Sequence, residues 1–245
     1  MINSKVQIDL VRLSAQYDTI FSSNNNLRDS DSFYRWIFQK LNAQPGKALV
    51  DIACGSGRLL YHASRAGLRT IGVDFSAEAL RLEREVAPSS DLVLADGQCL
   101  PFPGNSIEYV ASLGSLEHFV DVERGVQEMV RIMRPDGLAA IFLPNAFYLA
   151  DLIWWVWRKG RSPSHGQPLE RFAAFADWAE LLERNGLKVC QNYKYNFMFP
   201  RSRLDWEYYR RFPHKLLYLI VSPFIPFNLS YSFLYICQKA KCPSK

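Results

Sequence analysis

From Lys47 to Leu143 short apolar runs alternate with helical periods, and several of the runs stop at an acid or a glycine. Lys47–Ala53 reads as a buried strand, and the turn Gly55-Ser56-Gly57 leads into a helix over Arg58–Ala66. Thr70–Val73 is a second strand ending at Asp74, and Ser76 is placed to cap a helix over Ala77–Val86. Leu92–Ala95 is a third strand ending at Asp96, and Ile107–Leu113 a fourth. The next helix carries Val122, Val126, Met129, Val130 and Met133 on one face, stops at Pro135-Asp136-Gly137, and delivers a fifth strand, Leu138–Leu143. Strands joined through helices require right-handed crossovers, so the pattern predicts a parallel sheet covered on both faces. The helix–strand pair Trp178–Asn185 and Leu187–Tyr193, then the strand Phe233–Lys239, complete the set. The expected architecture is α/β: a Rossmann-like, seven-stranded, mostly parallel sheet with helices on both faces, in one domain. Its core is residues 45–143. Residues 1–44 are expected to form a helical cap, in which Asp31 caps a helix with Phe33, Trp36, Ile37 and Leu41 on one face. Aromatic-rich insertions at 144–172 and 194–232, after the fifth and sixth strands, are expected to form a lid over an acceptor.

The composition suits such a core. With 245 residues, 49% apolar and 22% charged, the chain is neither disordered nor too small to bury a full interior. The net charge of +5 is unevenly placed: residues 1–193 hold 20 Lys/Arg against 22 Asp/Glu, residues 194–245 hold 9 against 2. Five cysteines without a CxxC pair, and no continuous apolar leader in Met1–Leu10, predict a cytoplasmic protein with reduced thiols. Leu216–Gln238 lacks charge, but Pro223 and Pro226 interrupt it, so it is read as a broken apolar segment and not a span.

In an open α/β sheet ligands sit at the carboxyl ends of the strands. Gly55 and Gly57 let the backbone approach a ligand there. A dinucleotide site would want a third glycine, where this chain has Leu60, and Asp51 would repel a pyrophosphate. Asp51 suits a cationic amine instead. Asp74, at the end of the second strand, suits a ribose diol, and Asp96 an exocyclic adenine amine. Amine, ribose and adenine together describe S-adenosylmethionine.

The runs ALVDIACGSGRLL, IGVDFS, LVLADGQCLPF, IEYVASLGSLEHF and MRPDG resemble the successive motifs of class I S-adenosylmethionine-dependent methyltransferases, in the type-11 group that includes ubiquinone and menaquinone biosynthesis enzymes. The resemblance covers roughly residues 45–145, with a weaker echo in WAELLERNGLKV. It implies that Asp51, Ala53, Gly55 and Gly57 surround the methionine part of the cofactor, with Leu113 and Gly114 on the same side. It implies Asp74 on the ribose hydroxyls, Phe75 beside the adenine, and Asp96 and Gly97 on the adenine amine and ring. Tyr17 resembles a tyrosine folded over the cofactor. Some quinone-pathway members carry Glu-x-x-Glu-His as a metal site, but Gly114 stands at the first glutamate's position, so no metal is expected.

Methyl transfer is an in-line displacement that needs alignment first and a base only when the acceptor must lose a proton. His118 is the candidate base, with a loop-bracing role as the other reading. Asn145, His165 and Arg171 are acceptor-binding candidates. The block Trp154, Trp155, Trp157, Arg158, Lys159, Arg161 and the basic tail favour a small-molecule acceptor that is lipid-linked or a glycan intermediate, met at an anionic membrane surface. Nucleic acid is disfavoured as a partner. Two other readings stay open: a catalytically silent S-adenosylmethionine-binding module, and a nicotinamide-dependent reductase.

Overall fold

The computed structural model describes residues 10–23, 29–164 and 166–240. Two helices, α1 (Leu10–Ser22) and α2 (Asp31–Leu41), precede the alternating region. There follow β1 (Ala48–Ile52), α3 (Arg58–Arg65), β2 (Arg69–Asp74), α4 (Ala77–Val86), β3 (Asp91–Leu94) and β4 (Ile107–Leu113). Next come α5 (Val122–Ile132), β5 (Met133–Pro144), α6 (Leu149–Asp151), α7 (Phe175–Arg184) and β6 (Leu187–Tyr195). The chain closes with α8 (Arg203–Arg211), α9 (His214–Val221) and β7 (Ser232–Lys239).

The seven strands form one sheet in the order β3-β2-β1-β4-β5-β7-β6. Those from β3 to β5 are mutually parallel, and β7 runs antiparallel to both its neighbours. Sequence order reverses between β1 and β4. A crevice therefore opens at their carboxyl ends, which is where such folds bind ligands.

Alternation along each strand divides the core in two. Val50, Ile52, Val73 and Val110 face α5 and α7, packing on Met129, Ile132 and Leu182. Leu49, Ala111 and Phe142 face α2 and α3, packing on Ile37, Leu41 and Leu60.

Two local expectations need correction. Asp31 does not cap α2; Ser30 holds that position, and Asp31 turns inward, where its carboxylate takes His62 Nε2 at 2.9 Å and Arg35 at 2.8 Å. Pro135-Asp136-Gly137 does not separate α5 from a strand but lies inside β5. The register against β4 shifts between Ile107 and Tyr109, so Pro135 sits in an irregular stretch of the ladder.

Both insertions leave from the crevice edge of the sheet. Pro144, the last residue of β5, and Tyr195, the last of β6, both pair with Ser232, the first of β7. α6 continues as π-type turns over Leu152–Trp157. The apolar tail segment breaks as expected: α9 gives way to single 3-10 turns at Ser222–Phe224 and Phe227–Leu229. Among the described residues no helix is long and apolar enough to cross a membrane.

Candidate active site

The loop leaving β1 is held by its neighbours. Cys54 N–H donates to the Val73 carbonyl at 3.1 Å, and Asp74 accepts Gly55 N–H at 3.0 Å and Ser76 N–H at 2.9 Å. One carboxylate thus ties the first two ligand loops together. Gly57 has φ +69, and a Cβ built there would stand 2.3 Å from Cγ of Glu83. A Cβ at Gly72 would stand 2.2 Å from the Glu83 carboxylate oxygens. Glu83, reaching over from α4, therefore fills a slot under the glycine turn that only two bare backbones leave open.

A cleft opens above this loop, and Asp51, Ala53, Gly55, Asp74, Phe75, Asp96, Gly97, Leu113, Gly114 and His118 all line it. Its floor is strongly acidic. Asp51, Asp74 and Glu83 are all buried, and Asp51 Oδ1 and Glu83 Oε1 have no hydrogen-bond partner. Burial, then the charges of Glu83 and Asp74, push the Asp51 carboxyl well up. Burial raises Asp74 to about 6 against the backbone N–H groups it accepts, and raises Glu83 to about 7. The Cys54 thiol donates to Glu83 at 2.7 Å and is itself pushed well up by burial and these carboxylates, so it is no nucleophile. Uncompensated buried carboxylates around an open cleft call for a cation.

At the other end Asp96 is half-buried and accepts Gln98 N–H and Nε2–H, each at 2.9 Å. A Cβ on Gly97 would meet the Phe119 ring at 2.5 Å and Ile52 at 2.9 Å, so only a bare backbone lets these two side chains pack against the loop. α1 roofs this end: Ser14 Oγ donates to the Phe75 carbonyl, and the rings of Tyr17 and Phe75 lie 5.4 Å apart. The Tyr17 hydroxyl donates to Gln167 Oε1 at 3.3 Å, so helix and first insertion meet over the cleft.

His118 stands on the 3-10 turn Leu116–His118 after β4, with Nδ1 against the Leu169 carbonyl. A carbonyl only accepts, so Nδ1 carries a proton, and Nε2 lies 3.7 Å from Glu117 Oε1. Burial lifts the Glu117 carboxyl to about 8.

Residues 50–141 match a family model described as a methyltransferase domain. That stretch is similar to the type-11 group of class I S-adenosylmethionine-dependent methyltransferases. A demethylmenaquinone methyltransferase of Renibacterium salmoninarum is 26% identical over 131 residues, covering 51% of this chain and 55% of that protein. A ubiquinone biosynthesis O-methyltransferase of Cupriavidus pinatubonensis is 37% identical over 155 residues, covering 60% of this chain and 62% of its own length. The chain spans about half the length of the curated relatives it matches. The structure of Burkholderia thailandensis 1,6-didemethyltoxoflavin-N1-methyltransferase, with its substrate and S-adenosylhomocysteine bound, superposes with a TM-score of 0.66 at 15% identity. It covers 98% of this chain and 94% of that one, and shows the shared fold.

The methyltransferase domain gathers most of the residues singled out from sequence, with some changes of place. Gly57 does not line the cleft; it makes room for Glu83. Asn145 does not reach it either: its Nδ2 donates to the Asn228 and Ser230 carbonyls at 2.9 and 2.7 Å, lacing the two insertions together. Arg171 spends its guanidinium on the Glu117, Phe119 and Val120 carbonyls, clamping the loop that carries His118. His165 lies outside the described residues. The sequence reading missed Leu10, Leu13 and Phe21, which line the cleft beside Tyr17 at helical spacing and were legible as one face of α1. It also missed Glu83, for which mid-helix position gives no signal of burial.

Proposed function

We propose that the chain transfers a methyl group from S-adenosylmethionine to a small, lipid-tailed acceptor. The observation that carries this is the cleft floor: Asp51 with an unpartnered oxygen, backed by Asp74 and Glu83, beside a bare backbone at Gly97. The cofactor when bound supplies an electrophilic methyl on a cationic sulfur. Asp51 would hold its amine, Asp74 its ribose hydroxyls, and Asp96 with Gly97 its adenine; Phe75 and Tyr17 would cover the ring. Ala53, Gly55, Leu113 and Gly114 would line the methionine portion, and Gly57 would support the loop from behind.

The protein's own contribution is chiefly alignment and exclusion of water. The α1 roof and Gln167 would cover the adenine end of the bound cofactor. His118, its tautomer set by Leu169, would take the proton at Nε2 when an O–H or N–H acceptor is methylated. Arg171 holds that loop in place, and Asn145 holds the insertions; both act as positioning residues. A nicotinamide cofactor fits poorly, because its pyrophosphate would face Asp51 and Asp74. The relatives named for menaquinone and ubiquinone pathways support a quinone-like ring as acceptor, and the exposed apolar insertions support a lipid tail.

Incubation with methyl-labelled S-adenosylmethionine and a prenylated hydroquinone tests this. Label should enter the organic extract. Asp74→Ala should weaken cofactor binding by roughly 1.5–3 kcal/mol, the worth of hydrogen bonds to a charged group. Cofactor binding without transfer to prenylated hydroquinones, catechols or phenols would favour a silent binding module.

A further inference from the structure

Beyond the cleft, the last helix exposes a stripe of large apolar side chains. Leu217, Ile220, Val221 and Phe224 fall at helical spacing along α9 and the 3-10 turn after it, and all are exposed, Phe224 to 84%. The opposite side of the helix is the packed one: Leu219 is buried, and the Tyr218 ring stacks on Phe197 at 6.0 Å. The helix thus has core on one side and, among the described residues, no covering element on the other. The π-type turns of the first insertion repeat the pattern, with Trp154 half-exposed and Trp157 82% exposed. Tyr148, at the base of that insertion, contacts Tyr218 of α9 edge-on at 6.5 Å, so the two segments are neighbours.

The charge along these segments is mainly basic, with Asp151 at the start of the first and Glu207, 4.0 Å from Arg210, at the start of the second. Residues 152–164 contain Arg158, Lys159 and Arg161 and no acid; residues 208–238 contain Arg210, Arg211 and Lys215 and no acid. Lys159 sits over the Trp154 and Trp155 rings at 4.8 and 4.7 Å, a cation laid against indoles beside the apolar patch. Lys215 is not part of the surface charge: it is inserted among Phe197, Tyr208 and Phe212, with its ammonium 4.7–4.9 Å from their ring centres. Indoles and aliphatic side chains flanked by cations match the headgroup layer of an anionic bilayer, rings at glycerol depth and charge on phosphate.

We infer that the α9 stripe and the Trp154–Trp157 turn form one docking face for an anionic membrane surface. Both segments spring from the carboxyl edge of the sheet, where β5 and β6 end and where the cleft opens, so a docked molecule keeps its site at the membrane side. The docking stands on the exposed stripe and its charge. Only its purpose, access to a lipid-tailed acceptor, rests on the methyl-transfer reading.

The test is co-sedimentation of the full chain with vesicles of equal parts phosphatidylglycerol and phosphatidylcholine, against phosphatidylcholine alone. The protein should pellet with the anionic vesicles, less so with neutral ones, and less in high salt. The double changes Leu217→Asp with Phe224→Asp, and Arg158→Glu with Lys159→Glu, touch only exposed positions. Each should lower the partition at least about tenfold while S-adenosylhomocysteine affinity stays unchanged. No pelleting, or variants that pellet like the parent, overturns the proposal. A parent that is dimeric in sizing and falls to monomer with the same changes also overturns it, making the face a contact between copies. Vesicle binding without S-adenosylhomocysteine binding would keep the docking face and remove the methyl-transfer reading; the reverse result would do the opposite.

Discussion

Gly57 shows how one residue decides the shape of the site without touching a ligand. Its left-handed φ costs an alanine about 1–2 kcal/mol, and the added methyl would overlap Glu83, an overpacking worth about 1–3 kcal/mol. Gly57→Ala should therefore destabilise the protein by about 2–5 kcal/mol in denaturant unfolding. Adding Glu83→Ala should return the overlap part and leave the φ cost. The glycine itself was legible in sequence as part of a turn. Its partner was not, because a glutamate inside an amphipathic helix ordinarily faces water, and only the fold shows that two glycines vacate a slot for it. Ala53 is a related case: at φ 55 it holds a left-handed conformation with a side chain that most residues avoid.

Among the elements, the core strands and helices follow the sequence pattern closely, since hydrophobic period and turn residues are local signals. Ser76 caps α4 as its spacing predicts, accepting Ala79 N–H at 3.1 Å. The insertions follow it less, because their order comes from distant partners. Asp205 is the clearest instance. Buried in the first turn of α8, it accepts Ser32 N–H and Oγ–H at 2.8 and 2.7 Å, and Arg201 and Ser202 N–H at 2.8 and 2.9 Å. Burial works against its charge, yet these donors hold its carboxyl below the usual range. Nothing near residue 205 signals that α8 is bolted to α2. Asp205→Ala should cost about 2–4 kcal/mol in thermal or denaturant unfolding, with Asn recovering part, because buried donors lose their acceptor.

At the scale of the molecule, the opposing fact is that the buried carboxyls around the cleft and its loops are raised, not lowered. Asp74 at about 6, Glu83 at about 7 and Glu117 at about 8 all bind protons more tightly folded than unfolded. Their contribution to stability is complete below the unfolded carboxyl range near pH 4 and is lost as pH rises through about 6–8. The unliganded protein should accordingly melt at lower temperature at pH 8 than at pH 5.5. A cationic ligand prefers the ionised cluster, so its affinity should climb over the same interval while the unliganded stability falls. The sheet order and the glycine loop made the existence of a site legible, but this acidic floor depended on α4 reaching across. Calorimetric titration with S-adenosylmethionine, S-adenosylhomocysteine and NADH tests the central claim most directly. The two adenosyl ligands should bind, more tightly at pH 7.5 than at pH 5.5, and NADH should give no heat. Heat with NADH alone, or none with either adenosyl ligand, would contradict it.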